Sequence, residues 1–435
     1  MNRKIGIAID IGTTTVAAAT VTEKGEILRE AACANSGSAF GADVMSRIKA
    51  ASEGGAQRIR ACMCRDITGL ITALIADQPI PGESADLFRE LPIVLAGNTT
   101  MLHLLNGYDC TGLGQYPYTP VSLAREERRA SELFPGIPSS IGDARVIELP
   151  GISAFVGADI VAGLFATDAL RIPETQTTLF LDLGTNGEMA LIRSDPDASG
   201  AKRISVCATA AGPVFEGAGI REGMRGEKGA IEEVVLIPAS PGDTGDHSVT
   251  SRCRTIDNAS AAGICGSGVL EAVSELARLH LIDQNGLLAE PWFSDGFPLA
   301  RRTDDTEIRL YQEDIRAVQL AKAAIRAGME TLPLACGIPA KQIDTVLVAG
   351  AFGKALPFSR LSPLGLFTPT LLSRCRAVGN TSLAGAAGVA KALLAGPDRE
   401  KAAYDLLDRI ISCTQEIPLA GRQDFEACYL GMMGF

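Results

Sequence analysis

The sequence predicts an α/β protein that is built from two similar halves. Short apolar runs with the two-residue alternation of strands recur between longer stretches with helical spacing. A strand, an aspartate and a Gly-Thr loop occur twice, as IGIAIDIGTTT at 5–15 and TLFLDLGTNGEM at 178–189. Each half also contains a predicted helix that is dense in small residues, at 159–170 and at 381–395.

The domain boundaries follow from the late position of the second small-residue helix. A helix that comes so close to the end of the chain predicts a return to the first domain. We therefore expect a first domain at 1–174, a second domain at 175–378, and a return to the first domain at 379–435. Two linked domains with a cleft between the repeated hairpins would result.

Composition and charge restrict the class of partner. The chain has 435 residues, 46% of them hydrophobic, and a formal net charge of −11. This charge argues against nucleic acid or an anionic membrane as the main partner. The apolar runs are shorter than a membrane span, and the N-terminus MNRKIGIAID lacks the apolar core of a signal peptide. We expect a cytoplasmic protein that binds neither nucleic acid nor membrane.

The cysteines and histidines are scattered. Eleven cysteines, an odd number, do not suggest a disulfide framework in a chain of this length. The sequence contains no CxxC, so the clustered spacing of ferredoxin-type iron–sulfur sites is absent from it. Three widely separated histidines argue against a zinc site.

In the first half, the opening strand continues through a Gly-Thr turn into a second, β-rich strand, so the loop at 10–15 joins two strands of a hairpin. Helices are predicted at 40–54 and 61–78, and a buried strand at 91–97. Asn98 or Thr99 can cap the helix that follows. The segment 112–143 is rich in Pro, Gly, Ser and charge, and we interpret it as a surface loop rather than a partner surface.

The second half continues the α/β pattern. A strand at 144–151 and a helix at 156–170 precede the second hairpin at 177–194, and 204–220 is predicted to run from a strand into a helix start. The remaining predicted elements are helices at 263–282, 315–336 and 377–396, a strand at 344–353, and a helix followed by two strands in the last 35 residues.

The first Gly-Thr loop has the chemistry of a metal–phosphate site. An aspartate at a strand end, Asp10, is costly to bury without a cation. Gly12 lets a phosphate approach, and a tight turn aims backbone N–H groups at an anion. Hydroxyl groups are offered by Thr13, Thr14 and Thr15. Taken alone, this loop is also compatible with an ordinary hairpin turn.

The second loop repeats the same logic, which makes coincidence improbable. Its residues are Asp182, Gly184, Thr185, Asn186 and Gly187. Two such hairpins facing each other would hold a polyphosphate from both sides, with Mg²⁺ between the two aspartates. Asp10 and Asp182 are therefore the predicted metal ligands.

Two glycine-rich segments are further candidates for nucleotide contacts. The strand end VLVAGAFG has Gly350 and Gly353 on either side of Ala351 and Phe352, and such a turn lets backbone lie flat against a planar group. The segment GICGSG could receive phosphate or adenine at a helix N-terminus through Gly266, Ser267 and Gly268. Close helix packing explains these glycines almost equally well.

Asp159 opens the first small-residue helix, and its sequence supports two interpretations. It could cap the helix and interact with the helix dipole. The strand that leads to Asp182 could also bring Asp159 to the cleft, where it would orient a water molecule or accept a proton.

The order of these motifs resembles that of the actin, sugar kinase and heat-shock chaperone superfamily. The phosphate loops at 10–15 and 182–187, the connecting helices at 159–170 and 381–395, and the adenosine loop at 349–353 occur in the order of that superfamily. The resemblance covers nearly the whole chain. It implies two ribonuclease H-like, actin-like ATPase domains around a nucleotide cleft that binds ATP with Mg²⁺.

Within this superfamily the sequence looks most like the ATP-dependent activators that reduce corrinoid proteins. The matching segments include FGADVMSRI, LAGNTTMLHLL, PGISAFVGADIVAG, LDLGTNGEMAL, AAGPVFEGAGIREGMRG, GICGSG and VLVAGAFG. The resemblance implies a corrinoid protein as partner and ATP-driven reduction of cob(II)alamin to cob(I)alamin.

The known activators of this kind carry iron–sulfur clusters in an additional domain, whereas no cluster is expected in this chain. Either a separate ferredoxin-like protein supplies the electron, or the chain hydrolyses ATP to remodel a corrinoid partner. A homodimer is kept as a hypothesis.

Other functions within the superfamily remain as alternatives. A small-molecule kinase for a sugar or a carboxylate would use Asp159 as its base. An activator ATPase of a 2-hydroxyacyl-CoA dehydratase is suggested only by Cys265 in its glycine context. A chaperone would need an appended peptide-binding domain, for which the predicted elements leave no room.

Overall fold

The structure is a computed structural model, and it describes residues 4–76, 91–195, 197, 200–238, 249–350 and 358–435. The chain divides into two compact units. One comprises Met1–Thr175, Ile192–Val206 and Asn380–Glu416, and the other comprises Gln176–Leu191, Cys207–Gly379 and Ile417–Phe435. The domain boundaries drawn from the sequence remain predictions.

The elements alternate between strands and helices along the chain. Up to residue 175 they are β1 (Ile5–Ile11), β2 (Thr15–Thr22), β3 (Ile27–Ala34), α1 (Val44–Ala50), α2 (Ala56–Ala76), β4 (Ile93–Gly97), α3 (Thr99–Asn106), α4 (Thr111–Gly114), β5 (Glu126–Arg129), α5 (Ala130–Leu133), β6 (Arg145–Glu148) and α6 (Ala158–Ala166). From residue 176 they are β7 (Thr178–Leu183), β8 (Gly187–Ser194), β9 (Lys202–Thr209), β10 (Ala230–Pro238), β11 (Val249–Thr255), β12 (Gly263–Ile264), α7 (Gly266–Arg278), α8 (Trp292–Asp295), β13 (Phe297–Arg301), β14 (Glu307–Leu310), α9 (Gln312–Ala335), β15 (Thr345–Ala349), α10 (Pro369–Leu372), β16 (Cys375–Gly379), α11 (Thr381–Leu394), α12 (Pro397–Ser412), β17 (Thr414–Glu416) and α13 (Gln423–Gly431).

The first unit is organised around a six-stranded sheet of order β3-β2-β1-β4-β6-β5. Strand β1 pairs antiparallel with β2, as the opening hairpin predicts, and parallel with β4. Asp10 pairs with Ala96 in this register, so the carboxyl ends of β1 and β4 lie side by side. In sheets with parallel strands, ligands bind outside this edge, and the loop after β1 lies there.

Helices cover this sheet because each presents an apolar stripe to it. In α2, Ile59, Met63, Ile67 and Ile71 follow one another at four-residue spacing, and all four are fully buried. The small-residue helices α6 and α11 contact each other very closely. A Cβ atom added at Gly385 would lie 2.1 Å from the carbonyl oxygen of Ala162. Only glycine permits this distance between the two helix backbones.

The prediction of a surface loop at 112–143 is wrong for part of that segment. Strand β5 lies within it and pairs antiparallel with β6 at the edge of the sheet. Helix α5 then buries Leu133 and the adjacent Phe134 completely. The sequence of β5 is Glu-Glu-Arg-Arg. A charged edge strand has no apolar face to mark it, which is how edge strands avoid unwanted pairing.

A second six-stranded sheet has the order β16-β15-β7-β8-β9-β17. Strand β15 pairs parallel with both β7 and β16. In this register Ala349 pairs with Asp182 on one side and with Gly379 on the other. The carboxyl ends of these three strands therefore bring Asp182 and Gly350 to the same edge of the sheet.

Two further predictions of secondary structure are wrong. Residues Pro213–Glu216 form a short 3-10 turn rather than the start of an α-helix. The last predicted strand is helix α13 instead. Its first turn contains Asp424 and Glu426, which favour a helix N-terminus. Residues after α13 pack on α9, where Gln319 Nε2 donates to the carbonyl oxygen of Met433 at 2.7 Å.

The helices within the described ranges lack the features of membrane spans. Helix α9 is 24 residues long, but it carries several charged side chains, including Arg316, Lys322 and Arg326. None of the helices within the described residues is both long and apolar enough to cross a bilayer.

Candidate functional site

The first Gly-Thr loop is a tight hairpin connection between β1 and β2. Ile11 pairs with Val16, and the N–H of Gly12 donates to the carbonyl oxygen of Thr15 at 3.0 Å. A Cβ atom at Gly12 would lie 2.7 Å from that same oxygen, so the turn requires glycine. The sequence-based prediction of a hairpin at this point is confirmed.

Asp10 ends β1 and is held by two side chains of the helix that returns to this unit. Its Oδ1 accepts from the Ser382 hydroxyl at 2.7 Å, and its Oδ2 accepts from Asn380 Nδ2 at 2.9 Å. Asn380 is the N-cap of α11, because its Oδ1 accepts the backbone N–H of Leu383 at 2.8 Å. Burial raises the pKa of Asp10, while the hydrogen bonds from Ser382 and Asn380 act in the opposite direction.

Asp159 lies in the first turn of α6, and its charge interacts with that of Asp10. Its Oδ1 accepts the N–H of Ile160 at 2.9 Å. Burial and the neighbouring Asp10 carboxylate raise the pKa of Asp159 to about 7. Two carboxylates that repel each other in a partly buried site are the donor set that a divalent cation stabilises. A magnesium ion near Asp10 would therefore reduce the repulsion between the two carboxylates.

A third helix N-terminus supports the same loop. Asn98 caps α3 by accepting the N–H of Met101 at 3.0 Å, and its Nδ2 donates to the Thr13 hydroxyl at 3.1 Å. Gly157, just before α6, lies against this cap, because a Cβ there would be 2.7 Å from the Cα of Asn98. The N-termini of α3 and α6 are thus adjacent beside the first loop. Helix N-termini carry partial positive charge and favour anions such as phosphate.

The second Gly-Thr loop, in the other unit, is equally tight but has a different neighbour. The N–H of Gly184 donates to the carbonyl oxygen of Asn186 at 3.0 Å, and β8 begins at Gly187. The Thr185 hydroxyl donates to Glu216 Oε1 at 3.1 Å. Glu216 is the last residue of the 3-10 turn, and nothing in its local pattern marked it as a site residue.

The glycine after β15 approaches the second loop within the same unit. Gly350 has a φ of +100°, and a Cβ there would lie 3.3 Å from Asp182 Oδ1. Gly350, in the predicted adenosine loop, therefore lies beside Asp182 of the second phosphate loop at this sheet edge. Ala351 and Gly353 lie outside the described residues.

The glycines of GICGSG have a packing role that accounts for them. A Cβ at Gly266 would lie 1.9 Å from the carbonyl oxygen of Phe215, and one at Gly268 would lie 2.1 Å from that of Ile231. Helix α7 therefore contacts neighbouring backbone directly. Ser267 is partly exposed, and its hydroxyl lies 3.2 Å from Cys265 Sγ. A nucleotide role for 266–268 stays a prediction.

Several residues of the site escaped the sequence-based prediction. Asn98 was predicted as a cap but not as a partner of the loop, and Asn35, Arg47, Asn380, Ser382 and Glu216 were not predicted at all. Each acts on a loop that is distant in the sequence, so local pattern gives no signal. In the described part of the chain, no group of three or more His, Cys, Asp or Glu side chains lies close enough together to hold a metal ion by itself.

Comparison with known proteins identifies related sequences. Residues 176–435 match a family described as the C-terminal, ASKHA domain of RACo, and residues 5–171 match the RACo middle region. The corrinoid activation enzyme RamQ of Eubacterium limosum is 30% identical over 404 residues, covering 88% of this chain and 63% of that protein. A [Co(II) methylated amine-specific corrinoid protein] reductase of Methanosarcina barkeri is 27% identical, covering 69% of this chain and 55% of that protein.

A solved structure supports the same relationship. The reductive activator for corrinoid, iron–sulfur protein has a TM-score of 0.85 and 32% identity, covering 100% of this chain and 66% of that one. This chain thus spans about two thirds or less of the length of these relatives. The predicted α/β fold of the actin-like ATPase class is confirmed. The chain belongs to the RACo family, with the RACo middle region at 5–171 and the ASKHA domain of RACo at 176–435.

Proposed function

We propose that this protein is an ATP-hydrolysing activator of a corrinoid protein, and that it supports the reduction of cob(II)alamin to cob(I)alamin. Membership of the RACo family supports this function over the small-molecule kinases and the dehydratase activators. The two relatives above are named for corrinoid activation and for corrinoid protein reduction. Because the chain spans only part of their length, the activity and the partner are carried over as proposals.

The observation that carries the ATPase proposal is the pair formed by Asp10 and Asp159. Asp10 is fixed by Ser382 and Asn380, and Asp159 has a pKa raised to about 7 beside it. A group with a pKa near the working pH is suited to general-base catalysis. We propose that Asp159 orients the attacking water and accepts its proton, while Asp10 and Asp182 serve as ligands of Mg²⁺. The metal, when bound, would offset the negative charge of the polyphosphate.

The nucleotide contacts are proposed from the two hairpins and the strand end after β15. Backbone N–H groups and hydroxyls of the loops would bind the phosphates, and the turn at 350–353 would lie against adenosine. The proposed residues are Gly12, Thr13, Thr14, Thr15, Gly184, Thr185, Asn186, Gly187, Gly350, Ala351 and Gly353, with Gly266, Ser267 and Gly268 as weaker candidates.

The source of the electron is a separate proposal. The eleven cysteines include no CxxC pair, and we propose that a separate iron–sulfur protein of the ferredoxin type donates the electron. ATP-driven remodelling of the corrinoid partner is the alternative. A cytoplasmic location and a homodimer also remain proposals.

The experiment that tests this function follows the cob(II)alamin absorption of a corrinoid protein with purified chain, Mg-ATP, and a low-potential donor that is added or omitted. We expect reduction only when ATP and the donor are both present, and no stoichiometric iron in the purified chain. Asp10→Ala and Asp182→Ala should abolish ATP hydrolysis and reduction. Asp143→Ala, which changes an exposed carboxylate of the first unit, is the matched control.

The outcomes separate the candidate functions. Wild-type turnover in Asp10→Ala or Asp182→Ala would refute the metal assignment. Reduction without any added donor, together with bound iron, would refute the separate electron source. ATP turnover that is stimulated by a sugar, and not by corrinoid protein, would identify a kinase instead.

A further inference from the structure

Arg47 is a charged side chain that is buried completely beneath the first Gly-Thr loop. Its residue is 0% exposed. Nε donates to the carbonyl oxygen of Gly41 at 3.0 Å, Nη1 lies 3.1 Å from Met101 Sδ, and Nη2 donates to the carbonyl oxygen of Thr13. Burial of a charged group without such bonds would be strongly unfavourable. These contacts fix the position of the guanidinium group, which binds the loop backbone at Thr13.

Asn35 binds two further carbonyl groups of the loop, those of Gly12 and Thr14. They flank the Thr13 carbonyl that Arg47 binds. Asn35 is also 0% exposed. Its Nδ2 donates to the carbonyl oxygen of Gly12 at 2.8 Å, and its backbone N–H donates to that of Thr14 at 2.9 Å. The amide orientation is fixed, because Oδ1 accepts the N–H of Gly37 at 3.0 Å.

Both side chains approach the loop from the same side. Asn35 Nδ2 lies 3.6 Å from Met101 Sδ, the atom that Arg47 Nη1 also contacts. A trans peptide is planar, so its N–H points opposite to its C=O. With the carbonyls of Gly12 and Thr13 turned towards Asn35 and Arg47, the N–H groups of Thr13 and Thr14 face away from them. Successive N–H groups turned to one side form an anion-binding concavity.

From this geometry we propose that Arg47 and Asn35 are positioning residues that orient the peptide planes of the first loop towards a polyphosphate. They touch the loop rather than the ligand. This inference rests on the proposed function only in that the ligand is a nucleotide. It assigns a role to two residues outside the predicted site.

The surroundings of Arg47 fix the direction of its side chain. It lies on α1, whose N-cap Asp43 accepts the N–H of Ser46 at 2.8 Å and in turn donates its own N–H to the Ser46 hydroxyl at 3.2 Å. This capping box sets the start of the helix just before Arg47. The planar guanidinium reaches three acceptors at once, which the single ammonium of lysine cannot reproduce.

The test measures binding of ATP and of adenosine by calorimetry in Arg47→Lys, Arg47→Met and Asn35→Asp. Asn35→Asp keeps the acceptor for Gly37 and removes the donor to Gly12. We expect the Kd for Mg-ATP to rise at least tenfold in each variant. The Kd for adenosine should stay within twofold of the wild type, because adenosine has no phosphate to meet the loop.

Phe134→Leu is the matched control, since Phe134 is fully buried in the same unit and belongs to its core. It should lower the melting temperature without changing the ratio of the two affinities. Unchanged ATP affinity in folded Arg47→Lys and Asn35→Asp would overturn the inference. Equal weakening of ATP and adenosine would do the same, because it would indicate a general structural effect. Neither result depends on corrinoid reduction. Failure of this inference can therefore be distinguished from failure of the proposed function.

Discussion

Asp10 and Asp159 lie in one unit and interact, but their surroundings differ. Asp10 accepts hydrogen bonds from two side chains at the start of the returning helix. Asp159 Oδ1 accepts the backbone N–H of Ile160 in its own helix. Burial and repulsion by Asp10 raise the pKa of Asp159 to about 7. Burial also raises the pKa of Asp10, but hydrogen bonds from two side chains hold that carboxylate in one place. In carboxylate pairs of enzymes, one group often serves as a fixed charge and the other as the proton acceptor. We assign the first role to Asp10 and the second to Asp159.

This arrangement predicts proton release when Mg-ATP binds. Burial and the Asp10 carboxylate raise the pKa of Asp159, so this carboxyl group retains a proton to a higher pH than an ordinary aspartate does. A cation beside Asp10 would favour the ionised carboxylate and lower that pKa. We expect calorimetry in buffers of different ionisation enthalpy to detect a fraction of a proton released by the wild type and not by Asp159→Asn. Protons from ATP itself cancel in this comparison, so equal release from both proteins would contradict the coupling.

At the scale of elements, the contact between α6 and α11 brings Asp159 and the Asp10-binding cap together. Asp159 lies on α6, and Asn380 caps α11. The two helices approach so closely at Gly385 that no side chain fits there. Any displacement of one helix along the other would therefore change the distance between the carboxylates. This close packing explains why both helices are rich in small residues.

Gly385→Ala should therefore destabilise the first unit. Its Cβ would lie 2.1 Å from the carbonyl oxygen of Ala162, and this is backbone that cannot rotate away. We expect a loss of about 1–3 kcal/mol in the free energy of unfolding, as for other overpacked sites. Gly69→Ala is the matched control, because a Cβ at this exposed position in α2 meets nothing within 4 Å. That change should add about 0.5–1 kcal/mol through helix propensity. Urea denaturation measures both, and equal effects would contradict the packing argument.

How far the sequence predicted the elements depended on whether they carry a local signal. The two hairpins, the strand β4 and the helices α2, α7, α9 and α11 have apolar periodicity or turn residues, and these predictions are confirmed. Strand β5 was missed because its four residues are all charged. Helix α13 was mistaken for a strand because Phe425, Tyr429 and Leu430 are compatible with either structure, and its acidic first turn was overlooked.

The residues of the candidate site also differ in whether the sequence alone could predict them. Asp10, Asp159 and Asp182 could be named from motifs, because a strand-end or helix-start aspartate is visible in the sequence. Asn35 and Arg47 could not, since each acts through a tertiary contact with a loop more than twenty residues away. The segment FGADVMSRI, which contains Arg47, contributes to the family resemblance in the sequence. Its physical role follows only from the tertiary contact between Arg47 and the loop.

At the scale of the whole molecule, the repeated hairpin has different support in each copy. The first loop has its carbonyl groups bound by Asn35 and by the cationic Arg47. The second loop has a hydroxyl bound by the carboxylate of Glu216. Sequence repetition therefore predicts the same backbone turn in both units and does not predict the charge beside it. The two turns thus have side chains of opposite charge beside them, which argues that the two loops have unequal roles towards a nucleotide.

The pH dependence of stability is a property of the whole chain, and Glu148 contributes to it in the same pH range as Asp159. Glu148 is 3% exposed, and its Oε2 accepts from Asn106 Nδ2 at 2.6 Å. Burial raises its pKa to about 7, and the nearby Glu126 carboxylate contributes in the same direction. The folded chain therefore keeps a proton that the unfolded chain has released above its ordinary pKa of 4.5. Stability from this group is present at low pH and is lost as pH rises to about 7.

We expect the melting temperature of the wild type to fall between pH 5 and pH 8, and Glu148→Gln to reduce that fall. A pKa shift of this size corresponds to up to about 3 kcal/mol over the window. Glu126→Gln is the control. Burial acts to raise the pKa of Glu126, but hydrogen bonds from Tyr108 and Arg128 outweigh it and lower that pKa. Glu126 thus stays ionised from pH 5 to pH 8, and its loss should leave most of the fall in place, because burial is the main cause of the raised pKa of Glu148. A fall in melting temperature that is as large in Glu148→Gln as in the wild type, or that vanishes in Glu126→Gln, would show that Glu148 does not contribute to it.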